Sequence, residues 1–306
     1  MKNFIRFFLI ILIFSPINYL FAQTTPTMVK VDGGTFQMGN PYTDAAKKGD
    51  TDEKPVHTVT VSSFSIGKYE VTVKEYKEFV NDAGFTDLSS VHSHKLPNAP
   101  TTEWLDEHVD TKNYWQLQGQ NWWGWIDNYP MQNVTWYDAI AYCNWLSSNE
   151  GLDECYYVND EKGISCDMTK NGYRLPTEAE WEFAARGGSK SKGYRFSGSD
   201  VATEVAWYDD NTFLRGPQKV GTKTANELGI YDMSGNVWEW CTDYYTKSYS
   251  SSAQTNPLNT SPTNWRVIRG GGWHYMSVYA TVTTRDGPEP SYTNYMYGFR
   301  LAKNVD

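Results

Sequence analysis

The sequence predicts a single α+β domain with little regular secondary structure, and three observations support that class. Three short helices begin at capping boxes, short strands are scattered between them, and aromatic residues make up 16% of the 306 residues. The 40% of hydrophobic residues is enough to build a substantial core. The sequence contains no fixed-period repeat, which argues against solenoids and propellers.

The overall charge argues against one class of function. The chain has 27 Lys and Arg residues against 36 Asp and Glu residues, a formal net charge of −9. Proteins that bind nucleic acids need a basic surface to neutralise the phosphates. We therefore expect no nucleic-acid partner.

The first 22 residues have the composition of a cleaved signal peptide. Lys2 and Arg6 precede an apolar run over residues 7–14, and Ala22 offers a small residue for cleavage. The run is shorter than the roughly 20 residues that span a bilayer, and no cysteine precedes Cys143 to accept a lipid. The sequence therefore predicts a signal peptide over 1–22, a domain over 23–306, and a periplasmic or secreted protein without a transmembrane segment.

Capping boxes mark the start of each predicted helix. In a capping box, a Thr side chain accepts a hydrogen bond from the first turn, and an acidic residue three positions later reaches back to the backbone N–H of the Thr. Three such pairs occur, namely Thr72 with Glu75, Thr135 with Asp138, and Thr177 with Glu180. Apolar residues follow at helical spacing, so we expect helices of about 10 to 13 residues.

The strand signals are short. Residues 28–31 and 35–38 flank Asp32-Gly33-Gly34, which predicts a tight hairpin, and residues 57–64 alternate apolar and polar side chains as a half-buried strand does. Residues 84–130 have no clear periodicity and carry five tryptophans, which indicates a long functional loop.

The four cysteines are too few for a disulfide-dense scaffold. Cys155 and Cys166 bracket two short predicted strands around a polar turn, which could bring their sulfur atoms close together. Cys143 and Cys241 would then be a second pair or free thiols. Four cysteines allow three pairings, and the sequence leaves the choice open.

Several motifs follow one another along the chain. They are VDGGTFQMG at 31–39, YEVT at 69–72, VTW at 134–136, YRLPTEAEWE at 173–182, GIYDMSGNVWEW at 229–240, RGG at 269–271 and GFR at 298–300. This series strongly resembles the formylglycine-generating enzyme, or sulfatase-modifying-factor, family. The resemblance covers nearly all of the chain after the signal peptide, and it implies a domain of that type with a C-type-lectin-like core.

The two longest motifs also have a purely structural interpretation. Glu178, Glu180 and Glu182 lie at the start of a predicted helix, where carboxylates are favourable, and we expect them to pair with arginines inside the scaffold. The tryptophans of both motifs are expected to fill the core.

The resemblance implies a structural calcium site. Its ligands would be the side chains of Asp232 and Glu239 and the backbone carbonyls of Gly235 and Val237. The residues agree with this, because two carboxylates around a Ser-Gly-Asn turn can fold oxygens about one hard cation. The alternative is a hydrogen-bonded turn without metal.

The family's oxidases convert a substrate cysteine to formylglycine with two active-site cysteines that bind copper(I), since soft thiolates select that ion. In this sequence those two positions are Tyr275 and Ala280, and no cysteine follows Cys241. We therefore expect no catalytic residues of the family type and no copper. The only histidine cluster, His92, His94 and His108, is interpreted as solvated loop residues.

The segment between the RGG and GFR motifs is dense in tyrosine. Such residues offer rigid, amphipathic contact area at low entropy cost, and the segment resembles the ligand-binding face of lectin-fold variable proteins diversified by retroelements. The alternative is that these aromatics fill a core. The candidate ligand-binding residues are Trp273, His274, Tyr275, Tyr279, Arg285, Tyr292, Tyr295 and Tyr297.

These observations predict a scaffold that binds a protein, peptide or glycan without copper oxidase activity. Two alternatives stay open. One is an oxidoreductase of the formylglycine-generating type or of related non-heme metal chemistry. The other is a structural subunit of an envelope or secretion assembly.

Overall fold

The computed structural model describes residues 25–42, 52–82, 125–159, 163–212 and 216–305. The predicted signal peptide, the three clustered histidines, and four of the five tryptophans of 84–130 lie outside the described residues. Among the helices of the described ranges, none has the length and apolar character needed to cross a bilayer.

Short strands and helices alternate along the chain. The strands are β1 Met28–Val31, β2 Gly34–Met38, β3 His57–Val61, β4 Phe64–Gly67, β5 Tyr156–Asn159, β6 Gly163–Cys166, β7 Trp238–Tyr244, β8 Gln254–Thr255, β9 Arg266–Arg269, β10 Arg285–Asp286, β11 Tyr297–Gly298 and β12 Ala302–Asn304. The helices are α1 Val73–Asp82, α2 Trp136–Asn149, α3 Glu178–Ala185, α4 Ala202–Val205 and α5 Asp209–Thr212, with 3₁₀ turns at Gly188–Lys190 and Ser277–Tyr279. This confirms the α+β class.

The capping boxes form at all three predicted helices. At α2 the Thr135 Oγ1 accepts from the Asp138 backbone N–H at 3.0 Å, and Asp138 Oδ2 accepts from the Thr135 N–H at 2.8 Å. Thr177 and Glu180 form the same pair at α3, as do Thr72 and Glu75 at α1. The helix starts were therefore predicted correctly, because each cap is made within four consecutive residues.

The predicted hairpin between β1 and β2 is wrong, although both strands form. β1 pairs with β4, and β2 pairs with β3, so residues 28–38 and 57–67 make one long antiparallel ribbon that bends near Gly33. A Cβ atom at Gly33 would lie only 2.6 Å from the Val61 carbonyl oxygen. The glycine therefore permits close approach of the partner strand at the bend rather than a turn between neighbouring strands.

A four-stranded sheet, in the order β10-β9-β7-β11, lies at the centre of the domain and is covered on both faces. Because successive strand residues point to opposite faces, Trp240 and Ile268 join the hydrophobic cluster that contains α1 and α2 residues. Their neighbours Cys241 and Val267 join the cluster that contains α3 residues. The tryptophans of the two motifs are buried, as expected, with Trp181 and Trp240 at 0% exposure and Trp238 at 2%.

The β5–β6 hairpin forms as predicted, and its register bears on the cysteines. Tyr156 lies directly opposite Cys166, so Cys155 precedes the pair by one residue. Cys155 is therefore offset by one residue from the position directly opposite Cys166. All four cysteines are free thiols in this structure, and burial raises the pKa of Cys155 to about 11 and that of Cys166 to about 12.

Candidate ligand-binding site

The segment between β9 and β11 begins in a tight turn that only glycine accommodates. Gly270 and Gly271 have φ angles of 95° and 76°, in the left-handed region that other residues rarely adopt. A Cβ atom at Gly271 would lie 2.5 Å from the carbonyl oxygen of Tyr279. The turn thus brings the chain at 271 against residue 279 and fixes the start of the segment.

Two of the predicted binding residues belong to the core. Trp273 is 3% exposed, and its indole N–H donates to the Tyr295 carbonyl at 3.2 Å. Tyr297 is 6% exposed and packs edge-on against Trp240, with ring centroids 5.6 Å apart. For these two residues the core alternative describes the structure.

The other aromatic residues reach the surface and rest on that core. The Tyr275 ring packs against Trp238 at 5.8 Å and against Tyr279 at 5.3 Å, and Tyr295 packs against Trp273 at 5.6 Å. The side chains of His274, Met276 and Tyr292 are exposed. We call this set the aromatic face; it consists of His274, Tyr275, Met276, Tyr279, Tyr292 and Tyr295.

The aromatic face has acidic neighbours. Asp209, at the start of α5, places Oδ1 3.6 Å from Nδ1 of His274, and the Asp209 backbone N–H donates to the Tyr275 carbonyl. Burial raises the pKa of the Tyr275 phenol, and the nearby carboxylate of Asp286 adds to this shift. The segment 270–298 contains no lysine, and its one arginine is Arg285.

Arg285 does not join the aromatic face but lies in a buried ion-pair network around α3. Its Nε and Nη2 donate to Glu178 at 2.7 and 2.8 Å, and its Nη1 donates to the carbonyls of Asp52 and Thr246. Arg269 bridges Glu178 and Glu182 at 2.9 and 2.6 Å. The Nε, Nη1 and Nη2 atoms of Arg285 therefore all have hydrogen-bond partners within the protein.

The carboxylates of the YRLPTEAEWE motif are all paired, as the structural interpretation predicted. Glu180 accepts two hydrogen bonds from the buried Arg174, and Glu182 pairs with Arg186 and Arg269. Although burial by itself raises the pKa of Glu178, the charges of Arg285 and Arg269 outweigh it and leave that pKa below its usual value. This network is a rigid support rather than a reactive site.

The two positions that hold copper-binding cysteines in the family's oxidases differ in environment. Tyr275 is half-buried on the aromatic face. Ala280 is 1% exposed and lies in a small hydrophobic cluster with Phe196, Val205 and Tyr208. Neither position presents a sulfur atom.

The turn predicted to bind calcium leads into β7, and its residues fit an ion only in part. Oδ2 of Asp232 accepts from the Gly221 N–H at 2.6 Å, while Oδ1 is buried without a hydrogen-bond partner. Glu239 uses both oxygens on Arg300, and Oε2 also accepts from the Trp181 indole N–H.

A third carboxylate, Glu70, belongs to this buried group and accepts from the side chain of Asn236 at 2.6 Å. Burial, followed by the charges of Asp232 and Glu239, raises the pKa of Glu70 well above its usual value. Within the described ranges, no three His, Cys, Asp or Glu side chains are arranged to hold a metal ion. The calcium site stays a prediction. In such a site Oδ1 of Asp232 and the backbone carbonyls of Gly235 and Val237 would be ligands.

Sequence reasoning missed three residues that matter here. Met276 is the most exposed large hydrophobic side chain of the segment, at 60%, and its position between two predicted residues was a usable signal. Asp209 and the buried Asp243 left no local signal, since long-range contacts alone bring them to their places.

Comparison with known proteins agrees with the geometry. The model of the sulfatase-modifying factor enzyme 1-like domain matches residues 18–305. A protein named chaperone protein LppX from Paenibacillus barcinonensis is 35% identical over 277 residues, covering 80% of this chain and 78% of that protein. The formylglycine-generating enzyme of Streptomyces coelicolor is 28% identical, covering 93% of this chain and 91% of the enzyme.

The chain also matches serine/threonine-protein kinase pkn1 of Chlamydia pneumoniae at 29% identity, but it spans only 38% of the length of that protein. Among solved structures, Treponema denticola variable protein 1 superposes with a TM-score of 0.68 at 28% identity, covering 91% of this chain and 95% of that one. PvdO from Pseudomonas aeruginosa superposes with a TM-score of 0.67 at 25% identity, covering 92% and 95%.

Proposed function

This chain belongs to the family of sulfatase-modifying factor enzyme 1-like domains, and we propose that it acts there as a ligand- or partner-binding protein without copper oxidase activity. The observation that carries the proposal is the aromatic face, in which exposed side chains rest on buried tryptophans. Its ligand would be a protein, a peptide or a glycan.

The aromatic face has the physical properties of a binding surface. Its rings are held by packing on Trp238 and Trp273, so they lose little conformational freedom when a ligand binds. Tyr292 and Met276 are 46% and 60% exposed, which leaves apolar area for a partner to cover. Treponema denticola variable protein 1 shares this fold, with a TM-score of 0.68.

The chemistry of the cleft argues against the family's copper-dependent oxidation. Copper(I) is held by a pair of soft thiolates, whereas the equivalent positions here are Tyr275 and Ala280. Burial raises the pKa of Cys143 and of Cys241 well above the usual thiol value, so neither is a ready thiolate.

We also propose that the protein works outside the cytoplasm, in the periplasm or as a secreted protein. The support is the sequence of residues 1–22, with its positive start, apolar run and small residue at 22. Amino-terminal sequencing of the protein recovered from its native cells tests this, with a new N-terminus near residue 23 expected. An N-terminus at residue 1 would contradict export by cleavage.

The binding proposal can be tested with a phage-displayed random peptide library and a glycan array, both probed with the purified protein. We expect ligands that lose binding to a variant with His274→Ala, Met276→Ala and Tyr292→Ala. The matched control is Tyr157→Ala, because Tyr157 is 49% exposed on β5, outside the aromatic face. Ligands that bind the triple variant as well as the native protein would contradict the proposal.

The enzymatic alternative has its own test, motivated by the similarity to the Streptomyces coelicolor enzyme. The protein is incubated with copper(I), oxygen and a peptide that carries the sulfatase cysteine motif. We expect no aldehyde in the peptide by mass spectrometry. Aldehyde formation above the metal-only background would overturn the proposal.

A further inference from the structure

A cavity of about 370 Å³ opens beside the start of α3, and none of the residues of the aromatic face lines it. Its lining includes the buried side chains of Glu178, Asp243 and Arg285, together with His57, Tyr249 and the exposed Ser248. Binding sites for small molecules typically measure about 300 to 1,000 Å³. The cavity therefore has the size of a ligand site.

Two of its three charged side chains have direct partners of opposite charge. Oε1 of Glu178 accepts from Arg269, Arg285 and the Tyr249 hydroxyl at 2.7 to 2.9 Å, and Oε2 accepts from Arg285 at 2.8 Å. Arg285 in turn donates from Nη1 to the backbone carbonyls of Asp52 and Thr246. The charges of these two side chains are therefore compensated within the protein.

Asp243 is different, because it is buried without an ion pair among the described residues. It is 5% exposed, and its two oxygens accept only backbone hydrogen bonds, from Glu178 N and Asn259 N at 2.8 Å each. A buried carboxylate normally has a cationic partner or several hydrogen bonds to compensate for the lost hydration. Each carboxylate oxygen of Asp243 keeps room for a further donor.

Arg266 lies near enough to Asp243 for their charges to interact, but its guanidinium group makes its close contacts with other residues. Arg266 on β9 lies between the rings of Trp136 and Tyr244, 3.8 and 3.5 Å from their centroids, and donates to the Thr242 carbonyl. Burial raises the pKa of Asp243 to about 7, and the negative charge of Glu178 adds to the shift. The titratable and charged groups around Asp243 include Glu178 and Glu180 on α3, Cys241 and Tyr244 on β7, Arg266 on β9, and His57, Tyr249 and Arg285 in the cavity lining.

We propose that this cavity binds a small organic cation, such as a primary ammonium compound, with the carboxylate of Asp243 as its counter-ion. The shape supports an organic molecule over a bare metal ion, because the cavity is much larger than one ion. The described residues also provide no group of three His, Cys, Asp or Glu side chains for a metal. The hydroxyl and amide side chains of the lining supply neutral contacts around the ammonium group.

The proposal predicts that binding is coupled to proton release. A cation favours the ionised form of Asp243, so affinity rises with pH as the carboxylate ionises around pH 7. Near pH 7 each bound cation should release about half a proton from this group. A neutral ligand of the same shape would show neither effect.

The experiment measures binding of n-butylammonium to the full protein by calorimetry, in two buffers of different ionisation enthalpy and over the range from pH 5.5 to 8.5. The uncharged probe is 1-butanol. We expect saturable binding of n-butylammonium that strengthens with pH and releases protons, and no saturable binding of 1-butanol. Equal binding of both probes, or no saturable binding of the cation, would overturn the proposal.

Two variants locate the site. Asp243→Asn should weaken n-butylammonium binding about tenfold or more and remove the proton release, since a neutral amide cannot serve as the counter-ion. Because that change also alters two backbone hydrogen bonds, Ser248→Trp tests the cavity separately by filling its exposed rim. Ser251→Trp, on the same loop but outside the lining, is the matched control. If Ser248→Trp binds n-butylammonium as tightly as the native protein does, the ligand binds elsewhere and the assignment to this cavity is wrong.

Discussion

The ion-pair network around α3 and the aromatic face lie on one scaffold, yet their side chains are held in opposite ways. In the network, Glu178, Glu182 and Arg269 are nearly or fully buried and bound to one another. In the aromatic face, Tyr292 and Met276 project into solvent from a loop that is fixed from below.

Substitutions in the two regions should therefore have different consequences. Removing one member of the network leaves a buried charge without its partner, which is costly. Changing an exposed ring alters only what the surface can contact. A fold that divides its residues in this way can vary its surface without losing its structure.

The largest loss of stability is expected when the ion-pair network around α3 is broken. Arg269→Leu would deprive Glu178 and Glu182 of a shared partner, and we expect a loss of about 3 to 5 kcal/mol in the free energy of unfolding. Denaturant unfolding measures this loss. The control is Lys77→Leu, which removes an exposed ion pair with Asp127 at 2.7 Å and should cost less than about 1 kcal/mol. Equal losses for the two variants would erase the distinction between buried and exposed charges.

The next effect concerns pH and comes from Asp243, at the edge of the network. Its pKa is about 7 in the folded protein against a usual value of 3.8, so the folded state holds the proton more tightly. The stability of the native protein therefore contains a penalty that is absent below about pH 4, grows as pH rises, and is complete above about pH 7.

Asp243→Asn removes that titration. From pH 5 to pH 8 the variant should gain on the order of 2 to 3 kcal/mol relative to the native protein, measured by denaturant unfolding at each pH. The exposed Asp153→Asn, whose carboxylate lies near Lys170, should run parallel to the native curve. If the Asp243→Asn curve were parallel as well, the carboxylate would titrate normally.

An effect of similar size tests the calcium prediction at the turn before β7. Calcium at a hundred times its dissociation constant should stabilise the native protein by about 2.7 kcal/mol, and a chelator should reverse this. Asp232→Asn should lose the response in thermal unfolding, while the exposed Asp210→Asn should keep it. An identical melting temperature with calcium and with chelator would leave the turn as a hydrogen-bonded structure only.

The smallest effect on stability is expected at the aromatic face. Tyr292→Ala should change the free energy of unfolding by no more than about 0.5 kcal/mol, as should Tyr157→Ala. Trp273→Ala, in the same segment between β9 and β11, should cost about 3 to 5 kcal/mol because its side chain is buried. A loss at Tyr292 as large as that at Trp273 would mean that the face is core after all.

The sequence indicated the segment that carries the aromatic face, but not which residues of that segment belong to it. Five of the eight predicted residues, namely His274, Tyr275, Tyr279, Tyr292 and Tyr295, are exposed or half-buried. Trp273 and Tyr297 are buried, and Arg285 lies in the ion-pair network. Alternation along a short irregular segment carries little information, because 3₁₀ turns and two-residue strands do not repeat a face.

The helix starts, several of the strands, the buried tryptophans and the family were predictable from the sequence, because each depends on a few neighbouring residues. The pairing of the strands was visible only in the folded structure, where β1 pairs with β4 rather than with β2. The folded structure also shows which aromatic rings face solvent. It places Asp243 beside a cavity, and Asp243 has no ion-pair partner among the described residues. These outcomes depend on contacts between residues far apart in sequence, whose burial and charge no local pattern records.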